Sequence, residues 1–147
     1  MTVYRGLYAG EGAPTVDAEP VVVFAGRHIP EKRVLSVAPA IATARASIPE
    51  LRGEILGDGP DRPEVLRQIA GAGLGDAVEA PGFVSQERMD DSLARALCLL
   101  LPSGREGFGL VVVEAAARGV PSIVVAGPDN AATELVSGLV GPASRQI

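Results

Sequence analysis

The chain carries one cysteine, one histidine and few aromatic residues, and each shortage excludes a class of chemistry. A lone cysteine, Cys98, builds neither a disulfide framework nor a zinc site. It lies in the apolar run Ala96–Leu101 and reads as a small buried hydrophobe, which fits a reducing, cytoplasmic setting. His28 has no second histidine or cysteine at ligand spacing, so no metal is expected. It reads as structural or exposed rather than as an acid or base, and without a G-x-S-x-G elbow nothing supports a hydrolase triad. With aromatics at 3%, Val, Leu, Ile and Ala must fill the interior. Basic residues are also short, 13 Lys and Arg against 18 Asp and Glu. The resulting net charge of -5 argues against a nucleic-acid partner, which needs a clustered basic face, and against rest on an anionic membrane. No run approaches the roughly 18 apolar residues of a membrane helix, and the opening MTVYRGLYAGEGAPTVDAEP has no apolar signal core.

What is present describes one ordinary globular domain: 147 residues, 47% hydrophobic and 21% charged, enough for a real core. Residues 1–20, rich in Gly, Pro, Ala and acids, read as a linker or disordered leader. Beyond them short apolar runs alternate with helical patterns. Val21–Ala25 is continuous and apolar, as for a strand buried on both faces. Val34–Ala46 reads as a helix that Pro39 kinks or divides, and Leu51–Leu56 as a strand ended by Gly57-Asp58-Gly59-Pro60. Pro63–Ala72 is helical, and Ala77–Val84 is a strand interrupted by Pro81-Gly82. Ser85 reads as the N-cap of Gln86–Ala96. Strand Cys98–Leu101, helix Gly109–Arg118, strand Ser122–Ala126 and helix Asn130–Val136 complete the pattern. Alternation of this kind predicts an α/β fold, a Rossmann-like parallel sheet with helices on both faces, over 21–147. Ligands of such sheets lie at the carboxyl ends of the strands.

Three loops there carry candidate chemistry. Pro102-Ser103-Gly104-Arg105-Glu106-Gly107-Phe108-Gly109 joins a strand to a helix that also holds Glu114. Glycines let amides approach a ligand, and a helix N-terminus suits phosphate. Glu106 and Glu114 suit sugar hydroxyls better than phosphate, so the combination points to a sugar nucleotide. It is equally the pattern of a glycine-rich turn with two solvated acids. Gly26-Arg27-His28-Ile29-Pro30-Glu31-Lys32-Arg33 offers Arg27 and Lys32 to an anion, or is a solvated basic loop. Gly127–Glu134 is a further candidate, or a surface helix capped by Asn130. The first strand ends in AGRHIP rather than G-x-G-x-x-G, and no P-loop is present, which disfavours the usual dinucleotide and NTPase sites.

These loops, with Gly82-Phe83-Val84 and Ala116-Ala117-Arg118-Gly119-Val120-Pro121, resemble the C-terminal domain of group 1 (family 4) retaining glycosyltransferases over about Val21–Val136. The specific element is EGFG with its two glutamates, Glu106 and Glu114. The resemblance implies one half of a GT-B fold, with the active site in a cleft between two Rossmann-like domains. It implies that Arg27 and Lys32, beside Gly26, hold the donor diphosphate and that Glu106 contacts the donor sugar. Gly107, Phe108, Gly109 and Leu110 would line the phosphates, Glu114 the ribose, and Phe83 and Val84 the base. The implied reaction is sugar transfer with retention, from a nucleotide-diphosphate sugar to an acceptor sugar, a lipid-linked sugar or a small molecule. No cofactor and no obligatory metal are implied. The family's N-terminal acceptor domain has no counterpart here and its closing C-terminal elements are missing, so the chain alone is expected to be inactive. The alternative is a non-catalytic nucleotide-sugar-binding fragment or subunit that needs a separate acceptor domain. Arg33 stands where the family commonly has glycine.

Overall fold

A computed structural model describes residues 18–103 and 109–125, together with the short strands Thr2–Tyr4 and Arg145–Gln146. Five strands run parallel: β2 (Val21–Ala25), β3 (Arg52–Leu56), β4 (Val78–Gly82), β5 (Cys98–Leu101) and β6 (Ser122–Val124). They lie in the order β4-β3-β2-β5-β6, the Rossmann-like winding expected from the alternation. β1 (Thr2–Tyr4) extends the sheet antiparallel beside β6, and β7 (Arg145–Gln146) pairs antiparallel with β1. The stretch read as a leader therefore contributes a strand at Thr2–Tyr4. The helix expected at Asn130–Val136 lies outside the described residues.

The order follows from composition. β2 is VVVFA and all five residues are buried, so it takes the centre, with β3 and β5 at its sides. β4 reads VEAPG, with alternate residues exposed, and lies at an edge. That position explains why Pro81 does not interrupt it as expected: an edge strand needs no ladder N–H there. The strand continues to Gly82, opposite Leu56, after a shift of register.

Four helices cross between the strands: α1 (Val37–Ala44), α2 (Arg62–Gly71), α3 (Gln86–Arg95) and α4 (Leu110–Ala117). α1 packs on α2 and α3 on α4. Because the winding reverses between β4 and β5, the two pairs cover opposite faces. The first helix differs from expectation. Val34–Ser36 forms a separate 3-10 turn, so the α-helix begins at Val37 and Pro39 falls in its first turn. The missing N–H of Pro39 would have had no partner there. Ser85 caps α3 as expected, its hydroxyl accepting from Arg88 N at 3.2 Å. Among the described residues the core is aliphatic around Phe24, with Ile41, Ile55, Leu56, Leu93, Leu99 and Leu101 wholly buried. Cys98 is buried in β5, and that burial pushes its thiol pKa up to about 11, so it packs as a hydrophobe.

Candidate functional site

Beyond the carboxyl ends of β2, β3 and β4 the backbone pairing continues into the loops. Gly26 N donates to Leu56 O at 3.2 Å, His28 N to Asp58 O at 2.8 Å and Gly57 N to Gly82 O at 3.0 Å. Asp61 N then returns a bond to His28 O at 2.9 Å. Gly57 and Gly59 permit this approach. Both have positive φ, and a Cβ would stand 1.9 Å from Gly26 O at the first and 2.5 Å from His28 O at the second.

These loops form the walls of a cleft of about 280 Å³. Gly26 and Arg27 contribute one wall, Gly57 and Asp58 the floor, and Phe83, Val84 and Met89 an apolar side. Ser85 and Gln86 complete the rim where α3 begins. The cleft thus sets the Arg27 guanidinium and the Asp58 carboxylate against an apolar side. Phe83 is 84% exposed.

Of the residues singled out in the sequence, Gly26, Arg27, Phe83 and Val84 thus meet in one cleft. Arg27 is exposed and makes no ion pair among the described residues. Lys32 ends a 3-10 turn, Pro30–Lys32; it is half-buried and does not line the cleft. Gly109 and Leu110 lie past β5, across the point where the strand order reverses. Gly109 is the N-cap of α4 in a left-handed conformation (φ 60°), and Leu110 is 67% exposed. Glu114 is half-buried one turn further along α4. Arg118 donates from Nη1 to the Glu114 carbonyl at 2.9 Å and from Nη2 to Asp90 Oδ1 at 2.7 Å, which ties α4 to α3. Glu106, Gly107 and Phe108 lie outside the described residues, as does the loop at Gly127–Glu134.

His28 is wholly buried rather than exposed. Its ring meets Phe24 edge-on at 5.9 Å between centroids, and neither ring nitrogen has a hydrogen-bond partner among the described residues. Burial holds its pKa below the ordinary histidine value. The Leu56 carbonyl and the Asp58 and Asp61 carboxylates pull the other way, and Arg62 adds to the lowering.

Met89 was not anticipated in the site. Its signal is a hydrophobic staple: Val84 precedes the N-cap Ser85, and Met89 is the fourth helical residue after it. Asp58 was visible only as part of a turn. Its carboxylate accepts from Gly59 N at 2.7 Å, which shapes the floor of the cleft. Among the described residues no group of three or more His, Cys, Asp or Glu stands ready for a metal ion, and no helix is long and apolar enough to cross a membrane.

The family model described as "Glycosyl transferases group 1" matches residues 12–144. An alpha-D-kanosaminyltransferase of Streptomyces kanamyceticus is 30% identical over 132 residues, 88% of this chain and 34% of that protein. The exopolysaccharide phosphotransferase SCO2592 of Streptomyces coelicolor is 37% identical over 125 residues, 82% of this chain but 13% of its own length. The chain thus spans 13% and 34% of the length of these two curated relatives. Among solved structures, the pneumococcal O-GlcNAc transferase GtfA in complex with UDP and GlcNAc superposes with a TM-score of 0.71 at 23% identity, over 90% of this chain and 25% of that one. At that identity the match establishes the fold, the Rossmann-like half of a GT-B architecture.

Proposed function

The chain belongs to the group 1 glycosyl transferases, and on that premise we propose that it supplies the donor-binding half of a retaining glycosyltransferase, holding a nucleotide-diphosphate sugar. The observation that carries this reading is the cleft, which joins Arg27 on one wall to Phe83, Val84 and Met89 on the other. A base occupies the apolar side, and the diphosphate extends past Gly26 toward Arg27, Lys32 and the free amides at the start of α4. Those cations and amides sit where negative charge develops as the nucleoside diphosphate departs, and they act without solvent reorganisation. The reading therefore requires no metal. Glu106 contacts the donor sugar and Glu114 the ribose hydroxyls.

Acceptor contacts come from a separate domain, and the acceptor is a sugar, a lipid-linked sugar or a small molecule. The second reading is a nucleotide-sugar-binding fragment or subunit that does not turn over by itself. The single buried cysteine favours a cytoplasmic setting.

The decisive experiment compares ligands. Replacing Arg27 and Lys32 together by Ala weakens a nucleoside diphosphate at least about tenfold, since each charge-assisted contact contributes roughly 1.5–3 kcal/mol. The bare nucleoside changes little, and added salt narrows the difference. Equal diphosphate affinity in wild type and double mutant, measured calorimetrically, removes the donor-site model. Transfer to an added acceptor by the chain alone would exclude the second reading.

A further inference from the structure

His28 directly follows Arg27, yet the mechanism does not use it. Three observations converge on it. Its ring is wholly buried against Phe24, with both nitrogens unpartnered among the described residues. Its peptide is held on both sides, His28 N on Asp58 O at 2.8 Å and Asp61 N on His28 O at 2.9 Å. Its backbone also lies so close to Gly59 that a Cβ there would stand 2.5 Å from His28 O. Arg27 is thereby fixed between two anchored peptides, since Gly26 N is bonded to Leu56 O at 3.2 Å. Neither ring nitrogen makes a hydrogen bond that could define a tautomer or share a charge, so the ring contributes shape and apolar contact. A protonated ring has two donors and a charge, and beside it in that pocket the Leu56 carbonyl is one acceptor for two donors. The groups around it are Phe24 of β2, the Leu56 carbonyl of β3, Asp58 and Asp61 of the following loop, and Arg62 at the start of α2.

We propose that His28 is a positioning residue of the donor site: its neutral, buried ring pins the backbone that presents Arg27, so that taking up a proton releases Arg27 and weakens donor binding. This rests on the donor-binding reading above. The chain lends itself to a test because His28 is its only histidine. Between about pH 8 and pH 5 no other side chain of ordinary pKa changes charge. A sugar nucleotide, with both phosphates esterified, does not titrate in that window either.

The test uses the full chain and UDP-glucose, with GDP-mannose as a second probe, by calorimetry at about pH 8 and about pH 5. In wild type, affinity falls about fivefold or more on acidification, as protonation of the buried ring draws on the same folding free energy that fixes the loop. His28→Phe keeps the ring and cannot be protonated. It binds within about twofold of wild type at the higher pH and loses most of the pH dependence, because replacing an unpartnered buried polar ring by an apolar one is nearly neutral. Arg27→Ala binds weakly at both pH values with a pH ratio near one, since the two residues act as one unit. His28→Leu serves as a second variant should the phenyl ring not fit. Equal pH dependence in wild type and the folded His28 variant overturns the proposal while leaving the donor site intact. Global unfolding of wild type at the lower pH, followed by circular dichroism, overturns it in favour of a general stability effect. Undiminished binding in Arg27→Ala, or no binding of either donor by wild type, overturns the donor-site reading itself and this proposal with it.

Discussion

Gly57→Ala is the sharpest probe of how the cleft is built. Gly57 has φ +114°, and a Cβ added there would stand 1.9 Å from Gly26 O and 2.9 Å from Gly26 C. Both atoms are backbone, so no rotamer change relieves the contact. The backbone conformation alone costs a residue with a side chain about 1–3 kcal/mol, and an overpacked contact adds about 1–3 kcal/mol. The loss is therefore about 2 kcal/mol at the least, a large part of the roughly 5–15 kcal/mol that holds a domain. With a urea slope near 2 kcal/mol per molar, the midpoint falls by about 1 M or more. Two controls separate the contributions. Gly73 has φ +66° but open space around its Cβ position, so Gly73→Ala loses only the conformational part, about 1 kcal/mol. Gly71 closes α2 with nothing within 4 Å, so Gly71→Ala gains about 0.5–1 kcal/mol. Urea unfolding followed by circular dichroism ranks the three. Only Gly57→Ala should also weaken nucleotide binding, because it displaces Gly26 from the cleft wall. If Gly57→Ala proves no worse than Gly73→Ala, the close approach of the two loops is wrong, and with it the described floor of the cleft.

Arg33→Gly should stabilise the chain by about 1 kcal/mol, since a side chain in the left-handed region costs roughly 1–2 kcal/mol and Arg33 is the one non-glycine residue with positive φ among those described (φ 50°); an unchanged melting temperature would count against that backbone. Glu114→Ala should weaken nucleotide binding about tenfold, from roughly 1.5 kcal/mol of carboxylate hydrogen bonding, while the melting temperature stays near wild type; equal affinity in the folded variant removes its ribose role. Stability should fall as pH drops below about 6.5, where unfolded His28 binds a proton that the buried ring resists, at no more than about 1.4 kcal/mol per pH unit. That stability is complete above the unfolded value and is lost on acidification, so a His28→Phe variant with the same acid slope in urea titrations would show that other groups are responsible.

Much of the fold was legible because it rests on local rules. Val21–Ala25 is uniformly apolar and could only be an interior strand, and Ser85 before a helical pattern could only be a cap. Alternation of strand and helix required crossovers, hence parallel pairing, and placed the loops after the strands on one edge. The sequence by itself therefore determined the class of fold, and it marked the loops at Arg27 and Phe83 as candidates. Boundaries were less legible because they depend on neighbours. Pro39 is harmless only because the α-helix begins at Val37, and Pro81 is tolerated only because β4 lies at an edge. The strand order, and with it the meeting of Arg27 and Phe83 across Gly57, was a matter for tertiary structure alone: no residue pattern states which strands lie side by side. The burial of His28 was decided there too, since a lone histidine in a basic loop carries no sign of its solvent exposure. That depends on whether Phe24 and the backbone at Gly59 close over the ring, which is a property of the packed loops and not of the segment that contains it.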